Sequence, residues 1–304
     1  MRILANDGLD KNALRFFQEN NIQLDTKKHD KEALIKNIKN YDILIVRSAT
    51  RVDREVIDAA KGGRLKMIIR AGVGLDNIDL EYAKKNRILV TNTPNASSNS
   101  VAELVLGHMF SLSRFINESN LTMRQGIWNK KVYTGVELYG KTLGIIGFGR
   151  IGRNLAQKAE ALGMDVVFYD KFVKMDNKYK YCEFQDLLRK ADFISVHTPA
   201  TDKPLIGREE FEIMKDGVFI INAARGGIID EEALLEALQK NRVAGAGLDV
   251  YANEPNPNPE LLNHPRVSCT PHIGAATEEA QRRIGEEIIQ IVMNFIKEYK
   301  TIAI

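Results

Sequence analysis

The chain has 304 residues, of which 44% are hydrophobic and 27% charged, a balance that is typical of a globular protein. Its formal net charge of +3 is small and it contains no dense run of lysine and arginine, so we expect no nucleic-acid partner. No apolar run approaches the roughly 20 residues that a membrane helix needs, so we expect no membrane partner either. A length of 304 residues favours two domains over one.

The two cysteines, Cys182 and Cys269, lie far apart in the sequence and lack the spacing of metal ligands. We therefore expect buried free thiols and no metal site. Free thiols are typical of a reducing compartment, so we expect the cytoplasm.

The first 92 residues alternate short apolar runs with amphipathic runs. The apolar runs predict strands at 2–4, 42–46, 66–69 and 88–91, and the amphipathic runs predict helices at 11–20, 31–38, 54–60 and 80–85. Strands that alternate with helices predict a parallel sheet covered on both faces.

A long helix is predicted next, from a cap at Ser97 or Ser98 to residue 115. Its apolar face recurs at the 3.6-residue spacing of a helix and comprises Val101, Leu104, Val105, His108, Met109 and Leu112. We expect this helix to join two domains or to pack against a second subunit. We assign His108, among these apolar residues, to core packing.

From residue 141 onward, six strands are predicted, at 142–146, 166–169, 193–196, 218–222, 244–248 and 267–269. Six strands complete a doubly wound dinucleotide-binding fold. The helical segment 277–300 is surplus to that sheet and would return to the first domain. The predicted fold is α/β, with two doubly wound parallel-sheet domains of Rossmann and flavodoxin type. The cofactor domain (96–276) would be inserted into the substrate domain (1–95 and 277–304).

A glycine-rich turn, Gly-Phe-Gly-Arg-Ile-Gly at 147–152, lies between the first of these strands and a helical run. Glycine at 147, 149 and 152 would let the backbone approach a pyrophosphate, because no side chain blocks the contact. The N–H groups of Arg150 and Ile151 would meet it at the helix N-terminus, which carries a partial positive charge. The pattern predicts dinucleotide binding through Gly147, Gly149 and Gly152.

An acidic residue, Asp170, ends the next strand, where it can accept hydrogen bonds from the hydroxyls of the adenine ribose. A phosphate on that ribose would be repelled by about 4 kcal/mol at 4 Å and an effective dielectric constant of about 20. We therefore predict NAD as the cofactor. Lys171 and Lys174 lie nearby and would soften the repulsion, so use of NADP stays open.

Three polar residues follow three successive strands of the second domain: Arg225, Glu254 and His272. Open parallel sheets place ligands beyond the carboxyl ends of their strands, so we expect these side chains to converge on one crevice. Of the five histidines, His272 alone lies at a predicted junction of the two domains. It is therefore the candidate acid/base.

The chain resembles the D-isomer-specific 2-hydroxyacid dehydrogenase family, most closely its phosphoglycerate dehydrogenases. The resemblance covers nearly the whole chain. The matching strings are Val-Arg-Ser-Ala-Thr at 46–50, Arg-Ala-Gly-Val-Gly-Leu-Asp-Asn-Ile-Asp at 70–79, Asn-Thr-Pro-Asn at 92–95, Ser-Val-Ala-Glu at 100–103, Gly-Lys-Thr-Leu-Gly at 140–144 and Gly-Gly at 226–227.

The resemblance implies that His272 is the general acid/base, that Glu254 orients the imidazole and favours its protonated form, and that Arg225 holds the substrate carboxylate and 2-oxygen. It implies that the backbone of Gly72, Val73 and Gly74 receives the carboxylate. The residues that it implies around the nicotinamide are His197, Thr198, Pro199, Ala223, Ala224, Asp249 and Gly274. It also implies a homodimer.

A phosphorylated substrate needs cations, and Arg47 and Arg70 end first-domain strands within the matching strings. Lys130, after Trp128, is a further candidate, from its own or a neighbouring subunit. We expect NAD-dependent oxidation of D-3-phosphoglycerate, the first step of serine biosynthesis by the phosphorylated route. A glyoxylate or hydroxypyruvate reductase would share the same catalytic residues. A protein that binds NAD as a sensor, like the C-terminal-binding corepressors, is the alternative outside enzymes.

Overall fold

The structure is a computed structural model that describes residues 1–302, with side chains as far as residue 298. It divides into two compact units. Unit 1 comprises Met1–Ser97 together with the chain from Ala275 onward, and unit 2 is Ser98–Gly274. No helix in the described part of the chain is both long and apolar enough to cross a bilayer.

Unit 1 is built on five parallel strands: β1 (Arg2–Ala5), β2 (Gln23–Asp25), β3 (Ile43–Val46), β4 (Met67–Arg70) and β5 (Leu89–Asn92). Their order, β2-β1-β3-β4-β5, is that of a flavodoxin-like doubly wound sheet. The sequence predicted four of them. It missed β2, whose three residues are only partly covered and therefore lack an apolar run.

Helices cover both faces of this sheet, because consecutive strand residues point to opposite sides. Leu4, Leu44 and Ile68 face one core, and Ile43 and Ile69 face the other. The first core is covered by α2 (Lys31–Asn37), α3 (Arg54–Ala59) and α4 (Leu80–Lys85), with a 3-10 helix at Ile38–Asn40. The second core is covered by α1 (Lys11–Glu19) and by the last helix of the chain, α12 (Glu278–Ile302).

An aspartate begins each of the first four helices of unit 1. The side chains of Asp10, Asp30, Asp53 and Asp79 each accept a hydrogen bond from a backbone N–H of the first helical turn. Such caps satisfy N–H groups that have no partner inside the helix, and each contributes about 1 kcal/mol. The helix starts at 11, 31, 54 and 80 were therefore predictable from the sequence.

Unit 2 is built on seven parallel strands: β6 (Thr142–Ile146), β7 (Asp165–Tyr169), β8 (Lys180–Tyr181), β9 (Phe193–Val196), β10 (Val218–Asn222), β11 (Val243–Leu248) and β12 (Val267–Cys269). Their order is β12-β11-β10-β9-β6-β7-β8, so the chain reverses direction across the sheet between β6 and β9. The predicted count of six was wrong by one, because the edge strand β8 has only two residues.

The helices of unit 2 also lie on both faces of the sheet. One core is covered by α5 (Ser98–Ser113) and α7 (Arg150–Ala161). The other is covered by α8 (Phe184–Lys190), α9 (Arg208–Ile213), α10 (Glu231–Gln239) and α11 (Pro259–Leu262). A doubly wound sheet with this strand order is the dinucleotide-binding arrangement.

The predicted helix from 98 to 115 ends earlier, at Ser113. Phe115 adopts a left-handed backbone conformation, and a separate helix, α6 (Ile116–Arg124), follows it. The carbonyl of Ser113 accepts a hydrogen bond of 2.9 Å from the N–H of Val136, which replaces the next helical turn. A 3-10 helix at Lys130–Val132 lies between α6 and β6.

Candidate active site

The glycine-rich turn connects β6 to α7 at the point where the sheet reverses direction. Gly147 has φ +94°, and a Cβ there would lie 2.6 Å from the carbonyl oxygen of His197 at the end of β9. A Cβ on Gly152 would lie 2.4 Å from the carbonyl oxygen of Gly147. A Cβ on Gly149 would meet nothing within 4 Å. Gly147 and Gly152 therefore serve internal packing, whereas Gly149 faces open space in which a ligand could approach the backbone.

The N-terminus of α7 has no side-chain cap, since its N-cap residue is Gly149 and no acidic residue lies in its first turn. Among the described residues, no side chain accepts a hydrogen bond from its first N–H groups, at Arg150 and Ile151. A helix of 12 residues carries about half a positive charge at this end. The geometry suits a phosphate, and the binding of a pyrophosphate at this turn stays a prediction.

Asp170 follows β7 and binds the glycine-rich turn directly. One of its carboxylate oxygens accepts the N–H of Phe148 at 2.7 Å, and the other accepts the N–H groups of Phe172 and Val173 at 2.8 and 3.0 Å. Burial opposes ionisation, but these backbone hydrogen bonds outweigh it and hold the pKa of Asp170 below its usual value. Asp170 is therefore ionised, and the oxygen that accepts only the N–H of Phe148 can still accept a ribose hydroxyl.

Lys174 and Lys171, the two lysines expected to weaken the selection against NADP, both contact aromatic side chains. The ammonium of Lys174 contacts the hydroxyl of Tyr181 and lies over the rings of Tyr169 and Tyr181. Lys171 is exposed, with its ammonium over the ring of Phe172. At the end of β7, therefore, the carboxylate of Asp170 is held in place by backbone hydrogen bonds, whereas the two lysines lie against aromatic rings.

The end of β9 leaves two buried polar atoms without partners in the described part of the chain, Nδ1 of His197 and Oγ1 of Thr198. The other ring nitrogen of His197 lies 2.9 Å from the Ser195 hydroxyl. Burial lowers the pKa of His197 to about 4, so its ring is neutral. Unpartnered buried polar atoms are rare in proteins, and their place beside Gly147 fits a polar ligand along this strand end. The residues present therefore fit a dinucleotide.

The remaining residues expected near the nicotinamide lie at neighbouring strand ends. Ala223 and Ala224 follow β10 and are largely buried, and Pro199 is exposed in the loop after β9. Asp249 follows β11 and is buried, and its carboxylate accepts the N–H of Gly274 at 2.8 Å. The Asp249 carboxylate is thus engaged with the protein itself.

The three candidate catalytic residues follow β10, β11 and β12, which are neighbours in the sheet. The imidazole of His272 bonds through Nδ1 to a carboxylate oxygen of Glu254 at 2.8 Å, and both side chains are about one-third exposed. The other carboxylate oxygen of Glu254 accepts the N–H of Tyr251 at 3.0 Å. His272 has φ +53°, a conformation that a non-glycine residue adopts at a cost of roughly 1–3 kcal/mol. The fold holds this histidine in one orientation.

Gly226 brings the loop that carries Arg225 against the loop that carries Glu254. A Cβ on Gly226 would lie 1.8 Å from the carbonyl oxygen of Tyr251, so only glycine allows this approach. Glu231, at the start of α10, accepts the N–H of Ala252 at 2.7 Å and holds the second loop from the same side. Asn222 fixes the first loop, since its amide donates to the carbonyl of Arg225 at 2.8 Å.

Unit 1 holds the residues predicted to bind the substrate anion. Arg47 follows β3, and among the described residues its guanidinium has no hydrogen-bond partner. Arg70 ends β4, and its guanidinium lies along the backbone of Gly72, where a Cβ would be 1.5 Å from Nη1. Gly72 has φ +142°, and its N–H donates to the carbonyl of Arg70 at 2.9 Å. Among the described residues the N–H groups of Val73 and Gly74 have no hydrogen-bond partner, so two of the three predicted backbone donors remain for an anion.

Lys130 lies in the 3-10 helix of unit 2 and is exposed, as is Trp128 close to it. Within the described part of unit 2, the structure brings Lys130 to none of the residues above. It stays a prediction that Lys130 contacts a substrate.

Sequence reasoning missed the polar surroundings of His108. This residue was assigned to core packing, and it is indeed buried at 2% exposure, but its ring lies between the hydroxyls of Ser268 and Thr270. The available signal was the alternation of hydroxyl residues in β12, since residues two apart in a strand face the same side. Both cysteines are free; Cys182 is buried as expected, whereas Cys269 is partly exposed.

The family model of the D-isomer specific 2-hydroxyacid dehydrogenase, NAD binding domain, matches residues 106–274. A hydroxypyruvate reductase from Thermotoga maritima is 46% identical over 95% of this chain and 96% of its own length. The chain belongs to the D-isomer-specific 2-hydroxyacid dehydrogenase family. It is accordingly an NAD-dependent oxidoreductase, as the sequence predicted.

Two further similarities illustrate the range of the family. A D-3-phosphoglycerate dehydrogenase from Methanocaldococcus jannaschii is 41% identical over 98% of this chain, and the chain spans 58% of that relative's length. A solved structure titled D-lactate dehydrogenase from Aquifex aeolicus, complexed with NAD and lactic acid, superposes with a TM-score of 0.85 at 30% identity. That match covers 98% of this chain and 96% of the other. The two-domain α/β fold predicted from the sequence is confirmed by the two parallel sheets and by this likeness.

Proposed function

We propose that this protein oxidises D-3-phosphoglycerate to 3-phosphohydroxypyruvate with NAD, the first step of serine biosynthesis by the phosphorylated route. The observation that carries the chemistry is the 2.8 Å hydrogen bond between Nδ1 of His272 and Glu254, at the carboxyl edge of a dinucleotide-binding sheet. The phosphorylated substrate is supported by the arginines at the strand ends of unit 1 and by relatives such as the one from M. jannaschii.

His272 acts as the general acid/base. Its Nδ1 is bonded to Glu254, which leaves Nε2 as the nitrogen that takes the proton of the substrate hydroxyl during oxidation and returns it during reduction. Glu254 stabilises the positive charge that then develops on the ring, and its second oxygen is fixed by the N–H of Tyr251. Such proton transfer contributes roughly 10²- to 10⁴-fold to the rate.

Arg225 binds the carboxylate and the 2-oxygen of the acid. A guanidinium presents its N–H groups in a fixed fork that matches a carboxylate, and it polarises the carbon–oxygen bond as charge develops there. Its Nη1 donates to the carbonyl of Ala224 at 2.5 Å, which fixes the direction of the side chain. Asn222 holds the backbone of the same loop.

The cofactor would be held by the glycine-rich turn, by the first N–H groups of α7, by Asp170 and by the strand end at His197 and Thr198. When bound, NAD supplies the nicotinamide that accepts the hydride from the carbon bearing the hydroxyl. The protein supplies the turn without side chains at Gly149 and a carboxylate at Asp170 that disfavours a 2′-phosphate.

The substrate phosphate would be bound by the cationic group of unit 1. The Arg47 guanidinium has no partner among the described residues. The Arg70 guanidinium lies along the backbone of Gly72, which directly precedes Val73 and Gly74. An unphosphorylated acid needs only one carboxylate contact, so two arginines near backbone donors favour a substrate with two anionic groups.

The substrate assignment is tested by initial rates with a panel of acids and with both NAD and NADP. We expect kcat/KM for D-3-phosphoglycerate, or for phosphohydroxypyruvate in reverse, to exceed that for hydroxypyruvate, glyoxylate and pyruvate. A higher value for any unphosphorylated acid would overturn the substrate. A preference for NADP would overturn the role of Asp170.

Hydroxypyruvate reduction is the second candidate, because the similarity to the T. maritima hydroxypyruvate reductase extends over nearly the whole of both chains. Arg47→Ala separates the two. If Arg47 binds a phosphate, the KM for phosphohydroxypyruvate should rise about tenfold or more while that for hydroxypyruvate stays within about twofold. Arg54→Ala is the matched control, because that exposed arginine pairs with Asp79 instead. Failure of every acid to be turned over would favour the NAD-sensing alternative.

We also propose a homodimer formed through unit 2. The segment from α6 to the 3-10 helix exposes a series of apolar side chains that includes Ile116, Leu121, Met123, Trp128 and Val132, with Trp128 79% exposed. Exposed apolar patches of this kind mark protein interfaces. Light scattering should give twice the chain mass for the wild type and a single chain mass for Leu121→Asp. Leu262→Asp, at an exposed leucine elsewhere, should remain a dimer; a monomeric wild type would contradict the proposal.

A further inference from the structure

A buried histidine of α5 links that helix to the strand that leads to His272. His108 is 2% exposed; its Nδ1 lies 2.9 Å from the hydroxyl of Ser268 and its Nε2 lies 3.1 Å from that of Thr270, both in or next to β12. Gly247 in β11 makes room for it, since a Cβ there would lie 2.7 Å from the Cβ of His108. The sheet is therefore adapted to this one side chain.

The hydrogen bonds of this group run in one direction. The hydroxyl of Thr270 donates to the Asp249 carboxylate at 2.6 Å, so it must accept from His108, and Nε2 carries the proton. Burial lowers the pKa of His108, so the ring is neutral and its Nδ1 accepts from the hydroxyl of Ser268. The chain Ser268–His108–Thr270–Asp249 thus has a donor matched to an acceptor at every step.

The chain ends on the turn that carries the catalytic histidine. The oxygen of Asp249 that accepts from Thr270 also accepts the N–H of Ile273 at 2.8 Å, and the other oxygen accepts the N–H of Gly274 at 2.8 Å. These are the two residues that follow His272, whose φ of +53° is unfavourable without such support. One buried carboxylate therefore fixes the backbone on which the imidazole of His272 is mounted.

We propose that His108 and Asp249 are positioning residues for the reaction, which hold the 272–274 turn so that the His272 imidazole is kept in its working orientation. The inference rests on the proposed role of His272 and adds a role for a residue buried in α5. A side chain that only filled space at position 108 would need no donor and no acceptor. At His108 the hydroxyl of Ser268 is the donor and that of Thr270 the acceptor, and the chain connects α5 to the backbone of the turn.

The kinetic test compares His108→Met with His108→Gln. Methionine fills the space but cannot donate to Thr270, whereas the Gln amide offers one donor and one acceptor. His108→Met should lower kcat roughly 10- to 100-fold, because a displacement of about 1 Å can reduce a rate about 100-fold. Its Kd for NADH should stay within about twofold of the wild type. His108→Gln should recover most of the lost kcat.

Met109→Leu is the matched control, because Met109 is buried on the same helix in the apolar core. It should keep the wild-type kcat. The proposal is overturned if His108→Met keeps the wild-type kcat, if Met109→Leu loses as much, or if His108→Gln gives no recovery while folded. If His108 served packing alone, His108→Met would lower the stability of the protein, but it would not lower kcat while leaving the Kd for NADH unchanged.

A spectroscopic measurement tests the inference without any turnover. In protein labelled with ¹⁵N-histidine, His108 should show the pattern of a neutral ring protonated at Nε2 at neutral pH. The amide protons of Ile273 and Gly274 should exchange slowly with solvent in the wild type and faster in His108→Met. A ring protonated at Nδ1 or charged, or exchange that does not change, would overturn the positioning role. Failure of all hydroxy acids as substrates would instead contradict the proposed function and leave this readout intact.

Discussion

Replacing Gly226 with alanine should separate the two loops that hold Arg225 and Glu254. The new Cβ would lie 1.8 Å from the carbonyl oxygen of Tyr251 and 2.1 Å from its carbonyl carbon, whereas ordinary van der Waals contacts are 3.4–4 Å. Both atoms belong to the backbone, so the conflict cannot be relieved by rotating a side chain. One loop must move by more than an ångström.

The effect on the rate should be larger than the effect on stability. Overpacking of this kind typically destabilises a protein by about 1–3 kcal/mol, which a domain with a normal stability tolerates. A displacement of about 1 Å between catalytic groups reduces a rate by about 100-fold. We therefore expect folded Gly226→Ala protein with kcat/KM for the acid reduced roughly 100-fold and with NADH affinity close to that of the wild type.

Steady-state kinetics, NADH fluorescence titration and thermal unfolding measure these three quantities. Gly227→Ala is the control, because its Cβ would meet nothing within 4 Å, although its φ of +77° makes alanine unfavourable. That variant should lose about 1 kcal/mol of stability and keep its kcat. A Gly226→Ala enzyme with the wild-type kcat/KM would refute the argument that this contact aligns the site.

Further predictions follow from the cofactor site and from Arg225. Gly149→Ala should leave the unfolding temperature unchanged but weaken NADH binding about tenfold or more. Gly152→Ala should lower the unfolding temperature of the protein without cofactor. If Gly149→Ala bound NADH as tightly as the wild type, the pyrophosphate would have to bind elsewhere. Arg225→Lys should raise the KM for the acid about tenfold and leave the NADH affinity unchanged. An unchanged KM would contradict the proposal that the forked guanidinium binds the substrate carboxylate. Asp170→Asn should narrow the preference for NAD over NADP. Because the pKa of Asp170 is lowered on folding, the wild type should be more stable than Asp170→Asn at neutral pH, and urea unfolding should show this advantage vanishing as pH falls through the lowered pKa. The pKa of His197 is lowered from 6.5 to about 4, so at pH values between these two the unfolded chain binds a proton that the folded protein does not. The free energy of unfolding should therefore fall as the pH drops through this range. His197→Gln should reduce that fall in the same urea assay.

The sequence was sufficient for the elements with strong local signals. The central strands β6, β9 and β10 are mainly apolar runs and were predicted at their observed bounds, as was the edge strand β12. The first four helices of unit 1 begin after aspartate caps, and their starts were also predicted. The edge strands β2 and β8 were missed because they are short and half-covered, so that no hydrophobic pattern marks them.

The candidate site was predictable where it depends on strand ends and not where it depends on contacts between loops. The order of strands places Arg225, Glu254 and His272 after three neighbouring strands. Their convergence was predicted from those strand ends, and their roles were implied by the family resemblance. The approach of Gly226 to Tyr251 joins segments that are distant in sequence, so no local pattern indicates it. The same holds for His108, whose apolar neighbours in α5 predict packing and whose polar partners come from β12.

The left-handed conformation of Phe115 was likewise invisible in the sequence. A bulky residue rarely adopts a positive φ, and the predicted helix therefore ran through this position. The irregular segment before β6 satisfies the carbonyl of Ser113 through the N–H of Val136, a contact set by tertiary structure.

The most direct test of the central claim is the turnover of His272→Ala beside its binding of NADH. His272 and Glu254 form the 2.8 Å pair on which the proposed proton transfer rests. We predict that His272→Ala binds NADH within about twofold of the wild type but loses roughly 10²- to 10⁴-fold in kcat for D-3-phosphoglycerate oxidation. A folded His272→Ala protein with near-normal kcat would contradict the account.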